Sequence, residues 1–259
     1  MSEAARALER LDAITHRLRV DCPWDREQDE RSIVPHTVEE AYELADAARS
    51  GDDAKLLDEL GDVLFQVHFL SMLLEERGAG DLAAVAEHVT EKLIRRHPHV
   101  FGETEVANAG EVLRNWDRIK QDEDGREPGI FGEVPENLPG PLYARKVQRR
   151  AASSGFDPAR SDPEQPAEAL RAVMEVAAAP DAGDREIGDL LFAAVNLARV
   201  RKVDPELALR DASGRFRDTV TAASELAASS GGSWDDLSFE DQLSYYARAV
   251  HHRGERPAP

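Results

Sequence analysis

Apolar residues recur at three- and four-residue intervals along almost the whole chain. This spacing is typical of α-helices with one buried face, and the alternating stretches that would indicate strands are few. The breaks in the pattern are short and fall at proline or glycine, as they do around Pro23, Gly51 and Pro98. The sequence therefore predicts an all-α fold.

Ten predicted helices lie between these breaks. They cover about 3–20, 32–51, 53–78, 81–98, 110–121, 142–152, 164–179, 184–203, 205–230 and 237–252. Ser32 is expected to cap the second helix, with Pro35 in its first turn, and Asp81 is expected to cap the fourth. Gly51 and Gly78 can adopt the left-handed conformation that ends many helices.

A segment rich in proline and glycine separates two similar parts of the chain. Residues 123–141 contain four prolines and four glycines, a density that neither a helix nor a central strand tolerates. On either side of it, Glu59-Leu-Gly-Asp-Val-Leu-Phe65 recurs as Glu186-Ile-Gly-Asp-Leu-Leu-Phe192, 127 residues later. We therefore expect two related helical-bundle modules, 1–122 and 142–259, joined by a linker at 123–141.

The charge and the apolar content of the chain argue against several classes of partner. Its 259 residues include 51 acidic and 32 basic side chains, and the formal net charge of −19 disfavours binding to a nucleic-acid backbone. The longest mostly apolar run, Val63–Leu74, is too short to cross a bilayer. The single cysteine, Cys22, and the lack of a basic-then-apolar leader predict a cytoplasmic protein with no membrane partner.

Two pairs of acidic residues are the main chemical candidates. Glu40 and Glu43 are three residues apart on the second predicted helix, and Glu59 and Asp62 repeat this spacing on the third. The connection at Gly51 is short, so the two helices are expected to pack as an antiparallel hairpin in which the four carboxylates converge. All-oxygen ligands suit Mg²⁺ or Mn²⁺, and the absence of cysteine or histidine among them argues against zinc.

The alternative to a metal site is that these acids are solvated surface charges. At this acidic content, about ten pairs of acidic residues three positions apart are expected by chance. Glu59 and Asp62, however, lead into Val63–Leu74, which is apolar nearly all round and is expected to be covered on several sides. A carboxylate drawn into a covered region is destabilising unless it is paired or metal-bound. Gly61, inside the same helix, indicates close helix packing.

A cluster of basic residues lies on the fourth predicted helix of this acidic chain. Lys92, Arg95 and Arg96 occupy adjacent turns and are candidates for binding phosphate oxygens. The alternative is a favourable cationic end to that helix. Trp116 and Lys120 share a face of the next helix, where they either close a pocket or pack the helix.

Two further residues near the start of the chain are functional candidates. Trp24 could stack on a base, but tryptophan most often serves as core, and we expect it there. Cys22 precedes a proline and has no adjacent histidine, so it is a poor candidate for a nucleophile.

Taken together, the motifs resemble those of one enzyme family. They are Cys22-Pro-Trp-Asp25, Glu39-Glu40-Ala-Tyr-Glu43, Glu59-Leu-Gly-Asp62, Glu91-Lys-Leu-Ile-Arg-Arg-His-Pro-His-Val-Phe-Gly102 and Gly129-Ile-Phe-Gly-Glu-Val-Pro135. This combination, which covers nearly the whole chain, resembles the MazG nucleoside triphosphate pyrophosphohydrolases. The resemblance implies an all-α, Mg²⁺-dependent enzyme, with Mn²⁺ as a substitute, that cleaves a nucleoside triphosphate into monophosphate and pyrophosphate. It also implies a homodimer or higher homo-oligomer that removes non-standard or excess nucleotides.

The resemblance assigns roles to individual residues as well. It implies five metal-binding acids, Glu39, Glu40, Glu43, Glu59 and Asp62. It implies five substrate-binding residues, Lys92, Arg95, Arg96, Trp116 and Lys120. Glu40 or Glu43 would orient or deprotonate the attacking water, and the basic residues would stabilise the departing pyrophosphate.

The second predicted module departs from the family pattern. It keeps Glu186 and Asp189, whereas the repeat positions of the glutamate cluster hold Pro166, Ala167 and Leu170. The basic set is eroded too, because Gly-Arg-Phe-Arg-Asp-Thr at 214–219 stands where lysine and paired arginines would be expected. We therefore expect the first module to be active and the second to be structural or regulatory.

Two alternatives stay open on the sequence. A non-catalytic helical nucleotide-binding or regulatory interaction protein would hold a structural ion among the same acids. An enzyme restricted to phosphoribosyl-ATP, or to dUTP and dCTP, would share the helical metal site. The substrate and the product distinguish these alternatives.

Overall fold

The computed structural model describes residues 2–121, 123, 129–132 and 134–254. The all-α prediction is confirmed, because these residues form helices joined by turns and loops and include no strand. The chain divides into two compact units, Met1–Glu123 and Asp124–Pro259. Within the described residues, no helix is both long and apolar enough to cross a membrane.

The described residues of unit 1 form five long helices and two short ones. They are α1 (Glu3–Asp21), α2 (Pro23–Glu27), α3 (Glu30–Ser50), α4 (Asp53–Glu76), α5 (Leu82–Arg96), α6 (Pro98–Phe101) and α7 (Ala109–Gln121). The five long helices match the predicted ones within a few residues. The sequence missed α2 and α6, since each starts at a proline, which interrupts a preceding helix yet suits the first position of a new one.

Unit 2 also contains five α-helices among its described residues. They are α8 (Gly140–Ser153), α9 (Gln165–Ala177), α10 (Asp184–Val200), α11 (Pro205–Ser229) and α12 (Phe239–Gly254). Equivalent helix pairs pack in the two units: α3 with α4 as α9 with α10, α1 with α4 as α8 with α10, and α5 with α7 as α11 with α12. This shared pattern supports the predicted repeat, which stays a prediction, as does the linker at 123–141, part of which lies outside the described residues.

The α3–α4 hairpin positions the acidic residues. Gly51, in the left-handed conformation at φ 72°, ends α3 and lets the chain reverse, and Asp52 then caps α4 by accepting from the backbone N–H of Ala54 and Lys55. The prediction that Ser32 caps α3 is wrong. Asp29 is the N-cap residue, and Ser32 is the third helical residue, whose hydroxyl accepts from the Asp29 backbone N–H at 2.8 Å.

This earlier start also changes the position of a proline. The sequence predicted Pro35 in the first turn of this helix. Because α3 begins at Glu30, Pro35 instead lies inside the helix. The predicted cap at Asp81 is confirmed, since its side chain accepts from the backbone N–H of Ala84 at 2.7 Å.

The core of unit 1 lies between α3 and α4. Its buried members are Ile33, Phe69, Met72 and Leu73, and Phe65 and Leu70 pack against them. Such side chains each contribute roughly 1.5–3 kcal/mol through burial. This cluster therefore holds the two acid-bearing helices together.

Three polar residues within the apolar segment of α4 are buried: Gln66, His68 and Ser71. Thr37 on α3 donates its hydroxyl to Gln66 Oε1 at 3.1 Å, and Ser71 donates to the Val67 carbonyl of its own helix at 2.7 Å. His68 Nδ1 lies 3.5 Å from an Asp12 carboxylate oxygen on α1 but forms no hydrogen bond among the described residues. The Thr37–Gln66 hydrogen bond therefore joins α3 to α4, and the charge of Asp12 faces His68 from α1.

Candidate metal and phosphate site

Three glutamates of the hairpin converge. Glu40 and Glu43 lie one turn apart on α3, and Glu59 lies on α4, so the antiparallel packing brings them to one place. Each offers a carboxylate oxygen, and these three oxygens lie within 4.8 Å of one another. Among the described residues, this is the group of acidic, histidine and cysteine side chains arranged to hold a metal ion.

Glu59 is the buried member of the cluster. Its exposure is only 8%, and its Oε2 is buried without a hydrogen-bond partner among the described residues. A buried carboxylate oxygen without a partner is unfavourable, because it has lost water and gained nothing in exchange. A bound cation, a proton or a water molecule would stabilise the carboxylate at this position.

The pKa values of Glu40 and Glu59 also indicate a position that favours a bound cation. Burial raises the pKa of Glu40, and the carboxylates of Asp62, Glu43 and Glu59 raise it further. Burial also raises the pKa of Glu59, with added repulsion from Glu43 and Asp62 that nearby Lys55 opposes in part. Glu40 and Glu59 are thus harder to ionise in the folded chain than in water, and a bound cation would remove that penalty.

Asp62 and Glu39 lie at the edge of the cluster. Both are exposed, and neither belongs to the three-oxygen group. Asp62 acts on Glu40 and Glu59 through its charge. Glu39 has one oxygen 3.9 Å from His36 Nδ1, one turn earlier on α3. The structure thus brings together three of the five predicted metal ligands and leaves the other two beside them.

The three glutamates fit a hard divalent cation. Oxygens bound to one Mg²⁺ at about 2.1 Å lie roughly 3 to 4 Å apart in an octahedron. Oxygens within 4.8 Å of one another need only small side-chain movements to reach that spacing. The donor set is all oxygen and carries three negative charges, which is the chemistry that Mg²⁺ and Mn²⁺ prefer.

The predicted phosphate-binding arginines meet at a single carboxylate. Arg95 and Arg96, at the end of α5, both donate to Glu123, which follows α7. The two guanidinium groups lower the pKa of Glu123 to about 2, with Arg96 as the main cause. Lys92 lies one turn earlier on α5 and is half-buried.

Trp116 on α7 lies between two cations. The Arg96 Cζ is 5.1 Å from the ring centroid, and the Lys120 Nζ is 5.0 Å from it. Both distances are within the range of a cation–π interaction. The structure therefore brings Arg96, Trp116 and Lys120 together, as the phosphate-site interpretation requires.

Three expectations about α2 and α4 are not met among the described residues. Trp24, on the five-residue helix α2, is 50% exposed rather than in the core, and its ring lies 5.8 Å from that of His36 between centroids. A Cβ at Gly61 would meet no atom within 4 Å, so the expected close packing is not made within the described chain. Likewise, Leu64 and Val67 are exposed, which leaves one face of α4 uncovered.

Unit 2 uses its retained glutamate differently. Glu186, the repeat equivalent of Glu59, accepts from the Gly183 backbone N–H at 2.8 Å and caps α10. This hydrogen bond lowers the pKa of Glu186, whereas the pKa of Glu59 is raised. Asp189 is exposed.

The repeat positions of the basic set, 127 residues after Lys92, Arg95 and Arg96, hold Thr219, Ala222 and Ala223. A cavity of about 640 Å³ lies against α11 and α12, and Ala222 lines it at the repeat position of Arg95. The cavity is lined by Asp218 and Glu225 but by neither lysine nor arginine. Its charge is opposite to that needed by a triphosphate.

Sequence reasoning missed Glu123. It assigned this residue to the linker, because a proline- and glycine-rich segment begins there. The contact with α5 joins residues 27 and 28 positions apart in the chain, so helical spacing contains no signal for it.

Comparison with known proteins places the chain in a family. Residues 28–101 match the MazG nucleotide pyrophosphohydrolase domain. The chain is 38% identical over 256 residues to the nucleoside triphosphate pyrophosphohydrolase/pyrophosphatase MazG of Thermotoga maritima, covering 96% of this chain and 98% of that protein. It is 37% identical over 239 residues to the nucleoside triphosphate pyrophosphohydrolase of Escherichia coli K12, covering 86% and 89%. The chain therefore belongs to the MazG nucleoside triphosphate pyrophosphohydrolases.

Proposed function

We propose that the chain hydrolyses nucleoside triphosphates to nucleoside monophosphates and pyrophosphate, and that unit 1 contains the active site. The activity is the one named for the two relatives. The observation that carries the assignment to unit 1 is the convergence of Glu40, Glu43 and the buried, unpartnered Glu59.

The metal proposed for this site is Mg²⁺, with Mn²⁺ as a substitute. Glu40, Glu43 and Glu59 would hold it, with Asp62 and Glu39 as additional acids at the edge. When bound, it would neutralise the triphosphate next to the carboxylates and polarise the α-phosphoryl group.

Different side chains of unit 1 would activate the water and bind the phosphates. Glu40 and Glu43 are the proposed catalytic residues, which orient water and accept its proton. Positive charge on α5 and α7 would hold the phosphates and stabilise the departing pyrophosphate; the residues are Lys92, Arg95, Arg96 and Lys120. Trp116 would keep Arg96 and Lys120 in position through its ring.

Unit 2 is proposed to be structural or regulatory. Its Glu186 caps a helix, and the repeat positions of Glu40 and Glu43 hold Ala167 and Leu170. These residues offer no carboxylate to a metal.

A homodimer or higher homo-oligomer is proposed from the uncovered face of α4. We define the α4 stripe as the exposed residues Leu57, Leu60, Leu64 and Val67. Their spacing of three, four and three residues places them on one face of the helix, and Leu57 is 74% exposed. Gly61 lies among them without a neighbour at its Cα, so a helix of a second copy could approach closely there. Burial of this stripe by a second copy is the proposed dimer contact.

The biological role and the location stay predictions of the sequence. The role is removal of non-standard or excess nucleotides, and the location is the cytoplasm. Neither nucleic acid nor a membrane is expected as a partner, because the net charge of −19 opposes anionic surfaces.

A nucleotide panel tests the proposed function. The purified full chain is incubated with each standard and non-standard nucleoside triphosphate and Mg²⁺, and the products are identified. We expect monophosphate and pyrophosphate in equal amounts from at least one nucleotide. Orthophosphate would indicate a different hydrolase, and no product with any nucleotide would favour the non-catalytic binding protein.

A further inference from the structure

Glu123 engages both arginines of the phosphate-binding set at once. Its Oε1 accepts from Arg95 Nη2 at 2.8 Å, from Arg95 Nε at 3.2 Å and from Arg96 Nε at 2.9 Å, and its Oε2 accepts from Arg96 Nη2 at 2.5 Å. The Glu123 side chain is only 14% exposed. The Glu123 carboxylate therefore occupies the Nε and Nη2 donors of both arginines.

A phosphate group would need the same donors. The planar fork of an arginine binds two oxygens of a carboxylate or of a phosphate with the same geometry. On Arg96 the Nε and Nη2 donors that form such a fork both point to Glu123. Binding of Glu123 and binding of a phosphate at this fork are thus mutually exclusive.

The arginines are arranged so that they can stay in place when Glu123 leaves. Arg96 is supported by the Trp116 ring, and Arg95 is 53% exposed and open to an incoming ligand. Glu123 lies beyond the last residue of α7, Gln121, and so outside the helix itself.

We propose that Glu123 is an internal competitor for the anion site of Arg95 and Arg96, and that a polyphosphate displaces it on binding. The intramolecular carboxylate has a high effective concentration at the arginines. A phosphate ligand must displace Glu123 to use this fork, so Glu123 lowers the apparent affinity of the site for every such ligand by the same factor. This inference rests on the proposed phosphate role of the two arginines.

Calorimetric titration with inorganic pyrophosphate and with orthophosphate tests the proposal. The full chain is compared with Glu123→Gln, which keeps the shape and removes the charge, without added divalent metal. We expect the variant to bind pyrophosphate and orthophosphate each about tenfold more tightly, because the competing carboxylate lowers both affinities by the same factor. Asp21→Asn is the matched control, since it removes one carboxylate from the exposed Arg17–Asp21 pair. Its affinities should equal those of the unchanged chain.

Unchanged or weaker pyrophosphate binding by a folded Glu123→Gln variant would overturn the proposal, because it would show that Glu123 only ties α7 to α5. Absence of pyrophosphate binding to both proteins would overturn it as well. Glu123→Asp, which keeps the charge with a shorter reach, serves if the glutamine variant does not fold, and it should also bind pyrophosphate more tightly.

The titration and the nucleotide panel test the competitor and the proposed function separately. Tighter pyrophosphate binding by the variant, in a chain that cleaves no nucleotide, would support the competitor and contradict the proposed function. Normal cleavage with no change in pyrophosphate binding would contradict the competitor alone.

Discussion

At the scale of single residues, Glu59 and Glu186 show how one residue type takes on two tasks in one chain. They occupy the same position of the repeated motif, 127 residues apart. Glu186 bonds a backbone N–H at the start of its helix, whereas Glu59 lies buried with an unpartnered oxygen beside two further glutamates. The difference comes from where each helix begins: Glu186 is the third residue of α10 and reaches a free N–H at its start, whereas Glu59 is the seventh residue of α4. In addition, Pro166, Ala167 and Leu170 supply no acid beside Glu186.

This contrast gives a matched pair of variants. Glu59→Gln should lower kcat by about 100-fold or more, because it removes a charged ligand from the proposed metal site. Glu186→Gln should stay within about twofold of the unchanged chain, because it alters only a helix cap. Pyrophosphate release at saturating nucleotide measures both. The opposite pattern, with Glu186→Gln inactive, would move the active site to unit 2.

The raised pKa values of Glu40 and Glu59 predict how metal binding depends on pH. A carboxyl group must lose its proton to bind a cation, and these two lose theirs at a higher pH than ordinary glutamates do. Mg²⁺ affinity should therefore fall as the pH is lowered through these pKa values, and binding should release protons. Titration of Mn²⁺ or Mg²⁺ in buffers of different ionisation enthalpy measures the release. An affinity that is constant between about pH 5 and 8 would contradict the prediction.

At the scale of helices, the α3–α4 hairpin is built by short-range interactions at its ends. Asp29 Oδ1 accepts from the backbone N–H of Arg31 at 2.9 Å and of Ser32 at 2.8 Å, which starts α3. Gly51 ends it in the left-handed conformation. These two points fix the length of α3, so the glutamates on it lie opposite Glu59.

The capping role of Asp29 can be measured directly. Asp29→Ala should lower the Tm by about 3 °C, since two N–H groups at the start of α3 lose their acceptor. Asp29→Asn should restore most of the loss, because asparagine also caps helices. A Tm of Asp29→Ala equal to that of the unchanged chain would show that Ser32 or water replaces the cap.

At the scale of the whole molecule, the α4 stripe is the proposed contact between copies of the chain. Leu64→Glu places a charge on this apolar face and should shift the chain from dimer or higher oligomer toward monomer, as measured by light scattering after size exclusion. Val20→Glu is the control, because Val20 is 67% exposed on α1 outside the stripe. A chain that is monomeric before substitution, or equal shifts for both variants, would contradict the proposed contact.

The extent of sequence-based prediction differs between fold and site. Helices such as α4 and α7 were predicted almost to the residue, since their periodicity and their caps are encoded within a few neighbouring positions. The convergence of Glu40, Glu43 and Glu59 was also predictable, because two helices joined by a short turn pack as an antiparallel hairpin. The positions of Trp24 and Glu123 were not, since both depend on contacts between distant segments.

The sequence by itself determined the all-α fold, the ends of most helices and the acids that share a helix face, because all of these follow from spacing along one segment. The tertiary structure alone decided that Glu59 is buried without a partner, that Glu123 occupies Arg95 and Arg96, and that one face of α4 is uncovered. Burial and pairing depend on which segments meet in space. Local spacing does not specify that.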